Sequence, residues 1–412
     1  MRLFMLELKR LLKSRRSLAL IAFMVVFTIF LAWVPTTYLI SNKPDGEQLT
    51  GMAALEYDKN LQQGIAGTVS AKDVQEALTT FQNVYARYGA ETSFDLPDAA
   101  YAEVNAVQPL LTGLGDLYPD ENGQPTSYLA IDPADVTSYY EAAPARIQSL
   151  LDMQYPNDPA PGNYFVKLYD KVETPFTYEA GVDSTALDYM VLLALVLLFC
   201  CALITAPVFS SDYQTGADDI QCCTKNGRTR LGLTRVGVSL ALCGVLSAFC
   251  LALYWFVSNS LYGWELLDMS VQLLPLLSPT APLPFNLGEF QLLLSALALL
   301  TILASVCAIL LLSSRLKNLV IATGGALLLC ILPVIVYMVA PSASGITDWL
   351  LTLLPSSGVC MQACTLYAMR DFGFLQIGDF ICWTPIAMSC CAAVELMLFA
   401  ILAVTSYTHR HT

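Results

Sequence analysis

The sequence predicts an all-α integral membrane protein, with six transmembrane helices and a large, mainly helical extracytoplasmic domain between the first and second of them. Hydrophobic residues occupy 56% of its 412 positions and charged residues only 13%, whereas about a quarter of an ordinary soluble domain is charged. The apolar residues also gather into six runs of about 20, the length that a helix needs to cross a bilayer core. One long acidic segment separates the first run from the other five.

These runs and the segments between them define the predicted organisation of the chain. In order, we expect a cytoplasmic amphipathic helix at 1–17, the first span at 18–40, the extracytoplasmic domain at 41–185, the second span at 186–209, a cytoplasmic coupling segment at 210–230, the third span at 231–257, an outer connection at 258–286, the fourth span at 287–312, a cytoplasmic loop at 313–318, the fifth span at 319–339, a second outer connection at 340–382, the sixth span at 383–407 and a cytoplasmic tail at 408–412.

Basic residues set the predicted orientation. Six Lys or Arg residues precede the first span, and further bases lie in the 210–230 segment, the 313–318 loop and the tail. Because cytoplasmic connections retain Lys and Arg, both termini are expected in the cytoplasm of a multi-pass cell-membrane protein. Apolar residues from Met1 to Leu12 recur at helical spacing, which indicates either an interfacial amphipathic helix or a basic stop that orients the first span.

The 41–185 segment carries most of the acidic charge. It holds 7 Lys or Arg against 22 Asp or Glu and no cysteine, so it must fold on its own core without disulfides. Ser70 and Asp73 form a capping-box pattern ahead of an apolar stripe, which predicts a helix over Ser70 to Tyr88. Weaker helical patterns cover Ala99 to Leu117 and Pro133 to Met153.

Several signatures of enzymes are absent from the sequence. No Gly-Lys pair occurs, so the phosphate-binding loop of ATPases is missing and the chain cannot be its own motor. The only histidines, His409 and His411, lie in the tail, and the adjacent cysteine pairs at 200–201, 222–223 and 390–391 lack metal-site spacing. We therefore expect no catalytic residue, no metal site and no cofactor in this chain. The net charge of −13 is concentrated in the outer domain and gives no reason to expect nucleic-acid binding.

The most informative pattern follows the second predicted span. It comprises Pro207, Phe209, Ser210, Ser211, Asp212, Tyr213, Gln214 and Gly216, then Thr224, Lys225, Gly227, Arg228 and Arg230. Together with the order of spans and outer domain, this pattern resembles the type-2 exporter permeases of the ATP-binding-cassette superfamily. The chain departs from that family at 217–219 and at Cys222-Cys223, where members more often have a threonine-rich, apolar turn.

The resemblance implies a fold, partners and an activity. Two six-helix subunits, in a homodimer or heterodimer, would face each other in the lipid bilayer, and each would receive a separate ATP-binding subunit at its cytoplasmic face. ATP and Mg²⁺ would bind that partner, and the substrate would be amphipathic or peptide-like. The residues expected to couple this chain to the ATPase are Ser210, Asp212, Tyr213, Gly216, Lys225, Gly227 and Arg228.

Three alternatives remain open at this point. The 210–230 segment can be a solvated loop that only obeys the charge rule. The whole chain can be a membrane sensor, whose outer domain binds a ligand and signals to a cytoplasmic partner. An enzyme of lipid chemistry would need paired acids or bases, and Asp188, Asp212 and Asp379 are too scattered to form an obvious set.

One acidic residue, Glu395, lies near the middle of the sixth predicted span. A charge there costs roughly 2.5 to 3.5 kcal/mol on insertion scales, so such residues usually face the bundle interior. We expect either a structural hydrogen bond from Glu395 to a hydroxyl such as that of Ser305, Thr323 or Ser247, or a role with substrate or protons.

Overall fold

The computed structural model describes residues 2–217, 220, 227–339, 345–378 and 380–409. Within these ranges, six helices are long and apolar enough to cross a membrane, which confirms the predicted number and makes the chain a multi-pass membrane protein. These helices are α2 (Arg15–Trp33, extended by a 3-10 turn to Tyr38), α9 (Thr185–Thr205) with its continuation α10 (Pro207–Thr215), α11 (Thr229–Tyr262), α12 (Leu287–Arg315), α13 (Leu319–Val339) and α16 (Thr384–His409).

Two of the spans form the interior of the bundle. Helix α12 packs against α9, α11, α13 and α16, and its buried residues include Ile302 and Ile309. The span formed by α9 and α10 is the most enclosed. Inside the protein, 72% of its most apolar 18-residue stretch is buried, compared with 17% for α16 and 22% for α13. Helices α13 and α16 therefore present most of their apolar surface to the surroundings of the chain.

A short helix, α1 (Arg2–Lys13), precedes the first span. It lies against α11, and Leu3 and Leu11 of its apolar stripe pack against the bundle core. The amphipathic helix is therefore seated on the protein itself through part of its apolar face.

Residues 39–184 fold as a mainly helical unit, here called the inserted domain. Its helices are α3 (Met52–Gln62), α4 (Ala71–Tyr88), α5 (Asp98–Val107), α6 (Leu114–Leu117), α7 (Tyr139–Gln154) and α8 (Ala160–Tyr169). The helix predicted from the capping-box pattern is present as α4. Its Ser70 and Asp73 exchange hydrogen bonds, with Ser70 N 2.7 Å from Asp73 Oδ2 and Asp73 N 3.3 Å from Ser70 Oγ.

The two weaker helical predictions were only partly correct. The region from Ala99 to Leu117 is divided, since α5 ends at Val107, a 3-10 turn follows over Gln108–Leu111, and α6 begins at Leu114. Pro109 lacks the N–H that would continue the helix, and Gly113 adopts a left-handed conformation with φ +69°. The region from Pro133 to Met153 begins as a 3-10 turn and becomes helical only at Tyr139.

Three antiparallel strand pairs, which the all-α prediction missed, supplement the helices. They are β1 (Ile40–Asn42) with β2 (Gln48–Thr50), β3 (Gly67–Val69) with β4 (Phe176–Tyr178), and β5 (Phe374–Ile377) with β6 (Phe380–Trp383). Each strand has three or four residues, too few for an alternating pattern to show in the sequence. The β3–β4 pair joins the two ends of the inserted domain's helical core.

The inserted domain is attached to the connections at one end of the bundle. Ser270, in the 263–286 connection, donates its N–H to Thr177 O at 2.9 Å, and its hydroxyl accepts the N–H of Thr177 at 3.0 Å. In the last connection, which contains α14 (Gly345–Leu353) and α15 (Thr365–Arg370), the ring of Phe372 packs edge-on against Phe165 at 5.3 Å. The domain and both connections therefore lie at the end of the bundle opposite α1.

Candidate functional site at the amino-terminal end of the bundle

The predicted coupling residues begin at the end of the bundle that carries α1. There α1, α10, α11 and α16 meet around a group of charged and aromatic side chains that we call the junction. Its members are Glu7, Arg10, Phe209, Asp212, Arg235 and Tyr407.

Four charged side chains form the centre of the junction. Asp212 Oδ2 accepts hydrogen bonds from Arg10 Nη1 at 3.0 Å and from Arg235 Nη2. Glu7 Oε2 lies 3.0 Å from Arg10 Nε, and Glu7 Oε1 lies 3.7 Å from Arg235 Nε. Two acids and two bases thus alternate around the cluster, and their charges cancel.

Arg235 is the most deeply buried member, with only 1% of its side chain exposed. Its guanidinium carbon lies 5.6 Å from the ring centroid of Phe209 and 5.8 Å from that of Tyr407, within the range of cation–π attraction. A charge removed from water is tolerated only where such partners replace its hydration. Arg235 is therefore fixed between the end of the second span and the end of the sixth.

Ser313 of α12 stabilises the start of α10. Pro207 stands at the first position of α10, where its missing N–H is harmless, and Ala206 before it keeps helical angles of φ −53° and ψ −39°. The Ser313 hydroxyl accepts the N–H groups of Phe209 and Ser210, both at 3.2 Å, and donates to Ala206 O at 2.6 Å. The helix therefore resumes at once after the proline and remains attached to α12.

The structure brings most of the predicted coupling residues together but turns several of them inward. Ser210 is fully buried, and Asp212 points into the junction. The hydroxyl of Tyr213 donates to Ser314 O at 3.2 Å. These residues belong to the second span, whose helix continues past the predicted end at 209 as far as Thr215.

The other predicted residues mark the ends of the connection between the second and third spans. Gly216 ends α10 in a left-handed conformation, with φ +71°. Gly227 is buried, and its carbonyl accepts the hydroxyl of Tyr407 at 3.3 Å. Arg228 is exposed just before α11. Lys225 lies outside the described residues, as do 218–219, Cys222, Cys223 and Asp379.

Sequence reasoning missed Glu7, Arg10, Arg235, Ser313 and Tyr407 as site residues. A signal was available for Arg235, because it is a base inside the third predicted span, and such charges require a partner. The acid closest to Arg235 in predicted membrane depth was Asp212, at the end of the preceding span. Nothing in the local sequence indicated that Glu7 and Arg10 would join them.

Glu395 lies away from the junction, half-buried on α16 between exposed neighbours that include Val394 and Met397. In the described part of the chain it makes no hydrogen bond or ion pair, so the expected bond to Ser305, Thr323 or Ser247 is not formed. The hydroxyl of Ser305 instead donates to Thr301 O and Pro355 O, both at 2.9 Å. Ser247 Oγ lies 3.6 Å from Cys201 Sγ.

Comparisons with known proteins add no relative to these observations. Neither family models, nor curated proteins, nor solved structures gave a match to this chain.

Proposed function

We propose that the chain is the membrane-spanning permease subunit of an ATP-driven exporter and receives its energy from a separate ATP-binding subunit. In this proposal the junction lies at the cytoplasmic face, both termini are cytoplasmic, and the inserted domain lies outside the cell membrane. The substrate is amphipathic or peptide-like, and a second permease subunit completes the transporter. ATP and Mg²⁺ bind the partner subunit.

The observation that carries the proposal is the ion pair network of the junction. The connection between the second and third spans begins after Gly216 and ends near Gly227, and both ends are held by contacts to other spans. Asp212 joins the near end to α1 and α11 through Arg10 and Arg235, and Gly227 joins the far end to α16 through Tyr407. A displacement imposed on this connection would therefore reach α1, α11 and α16.

The missing ATPase motif and the resemblance of the 207–230 pattern to exporter permeases support the same proposal. A chain without a phosphate-binding loop needs a separate ATPase if ATP drives its transport. Arg228 is an exposed base beside the connection, where such a partner can contact it.

The test is ATP hydrolysis by the complex purified from its native membrane and placed in nanodiscs. Arg228→Glu is expected to leave assembly and thermal stability unchanged while hydrolysis falls several-fold, because the substitution reverses the charge at the docking surface. Lys9→Glu is the matched control, since Lys9 is also an exposed base near this end of the bundle. Purification without any ATP-binding subunit, or equal hydrolysis by the wild type and Arg228→Glu, would refute the proposal.

A second candidate function, a membrane sensor, is favoured by one observation in the inserted domain. A pocket of about 300 Å³ there is lined by aromatic residues that include Phe81, Tyr85, Tyr101 and Tyr128. Such a pocket suits a small ligand with an apolar face. A sensor would signal without any ATPase, so a kinase in place of an ATP-binding subunit among the copurifying proteins would favour this function.

A further inference from the structure

A groove of about 530 Å³ runs between α11 and α12 near the inserted domain. Its lining is mainly apolar and includes Leu251, Phe256, Trp264, Leu267, Leu292 and Leu299. Phe256 and Leu292 are 60% and 73% exposed, so the groove opens sideways, towards the lipid that would surround these spans.

The groove has the length of one membrane leaflet. On α11 it extends from Ala248 to Asn259, which corresponds to about 16 Å at 1.5 Å per residue. The hydrocarbon core of a bilayer is about 30 Å thick. The groove therefore covers the half of the membrane next to the inserted domain.

The polar groups in the groove already have partners. Asn259 Nδ2 donates to Gln291 Oε1 at 2.9 Å, and Gln291 Nε2 donates to Asn259 Oδ1 at 3.1 Å. Trp255 Nε1 donates to Ser295 Oγ at 2.8 Å. Because these side chains satisfy one another, the groove suits an apolar chain better than a polar ligand.

The segment that lines the end of the groove next to the inserted domain also carries acidic side chains. Trp264 and Leu267, which line the groove, belong to the 3-10 helix Trp264–Asp268. The same helix carries Glu265 and Asp268, both exposed, and Glu265 pairs with Lys59 at 2.8 Å.

A third acid belongs to the same rim. Glu179 lies two residues beyond Thr177, which hydrogen-bonds to Ser270, and Ser270 lies two residues beyond Asp268. Burial and the neighbouring carboxylates of the 3-10 helix raise the pKa of Glu179 above its usual range. Lys59 pairs with one of the three acids, and among the described residues no base pairs with Glu179 or Asp268, so a cation at this rim would reduce the repulsion between the carboxylates.

We propose that this groove binds amphipathic cations, with an apolar arm between α11 and α12 and a cationic head beside Glu179 and Asp268. The inference rests on the proposed export function and specifies its substrate class. Lipid tails are as apolar as the groove, so burial of the arm gives little selectivity within a membrane. The head group therefore decides which amphiphiles are retained.

Binding of radiolabelled dodecylammonium to the purified chain in phosphatidylcholine nanodiscs tests the proposal, with empty nanodiscs as the baseline. Dodecanol and dodecyl sulfate carry the same arm with a neutral or anionic head. Saturable binding of the cation is expected, several-fold tighter than that of dodecanol and weaker at high salt because salt screens the rim charges. Equal affinity for the three compounds would indicate a site for any lipid chain and would overturn the proposal.

Two sets of variants assign the binding to the groove. Ala252→Phe with Ala296→Phe fills it, since both alanines line the groove with exposed side chains, and should weaken dodecylammonium binding at least about tenfold. Ala241→Phe is the control, because Ala241 is exposed on the same helix outside the groove. Equal loss in both, or in neither, would refute the location.

Replacing the acids tests the head-group contact. Glu179→Gln with Asp268→Asn should weaken dodecylammonium binding about three- to tenfold, as expected for partly exposed charges, and leave dodecanol binding unchanged. An unchanged affinity for the cation would overturn the cationic class. These assays use no ATPase, so binding without a copurifying ATP-binding subunit would preserve the groove and reject the exporter function.

Discussion

Arg235 and Asp212, which are 23 residues apart in sequence, form a buried ion pair that joins the start of the third span to the end of the second. The same carboxylate oxygen of Asp212 also accepts a hydrogen bond from Arg10 of α1. The amino-terminal helix is thus part of the bundle's structure at this end, in addition to any contact with lipid.

We expect Asp212→Ala to destabilise the protein by about 3 kcal/mol, because its removal leaves two arginines, Arg10 and Arg235, against the single carboxylate of Glu7 in the junction. Asp212→Leu combined with Arg235→Leu should cost less than the sum of the two single changes, since no buried charge then remains unpaired. Unfolding by SDS in mixed micelles measures both.

The ion pair between Lys72 and Glu76 provides the control for this double-mutant comparison, since its side chains are 79% and 66% exposed. Glu76→Ala should change stability by no more than the error of measurement. Strict additivity of the two substitutions at 212 and 235 would show that the two side chains have no interaction energy with each other.

The α4 cap should depend on acid pH. Hydrogen bonds from the side chain and backbone of Ser70 hold the pKa of Asp73 below its usual 3.8. A lowered pKa in the folded state means that the unfolded chain binds the proton more readily, so this stabilisation is complete above pH 3.8 and is lost as the pH falls through the lowered value.

Hydrogen–deuterium exchange, expressed as protection factors, can follow the first turn of α4 across this pH range. Protection should fall at low pH in the wild type, whereas Asp73→Asn should show reduced protection at neutral pH and little further pH dependence. An identical pH profile in both proteins would show that another group controls the end of this helix.

The sequence was sufficient to predict structure wherever a single segment determines its own conformation. Helix α13 covers the same residues, Leu319 to Val339, as the apolar run that predicted it, and α4 follows from its cap and stripe. The junction was not predictable in this way, because Glu7, Asp212 and Arg235 come together only through packing of separate helices. The strand pairs were missed for a related reason, since Gly67 pairs with Tyr178 across almost the entire inserted domain.

The orientation of the chain is a further prediction that labelling can test. Ser127→Cys in the inserted domain and Lys317→Cys between α12 and α13 both place the thiol at an exposed position. An impermeant maleimide added to intact cells should label the first and not the second, relative to the parent protein with its native cysteines. The reverse pattern would place the junction outside the cytoplasm and would remove it as a docking site for an ATPase.

The last prediction concerns Glu395, on the face of α16 that the described residues cover only partly. If this face meets the second permease subunit, Glu395→Gln should retain yield, melting temperature and the dimer fraction in nanodiscs, because the amide preserves a hydrogen-bonding head. Glu395→Lys should reduce the yield of folded protein, because a lysine at this depth costs roughly 2.5 to 3.5 kcal/mol. Leu398→Lys, one turn away and 47% exposed, is the control for the cost of the charge alone. Normal yield and dimerisation of Glu395→Lys, beside a defective Leu398→Lys, would show instead that the carboxyl at 395 lies in a position that water can reach.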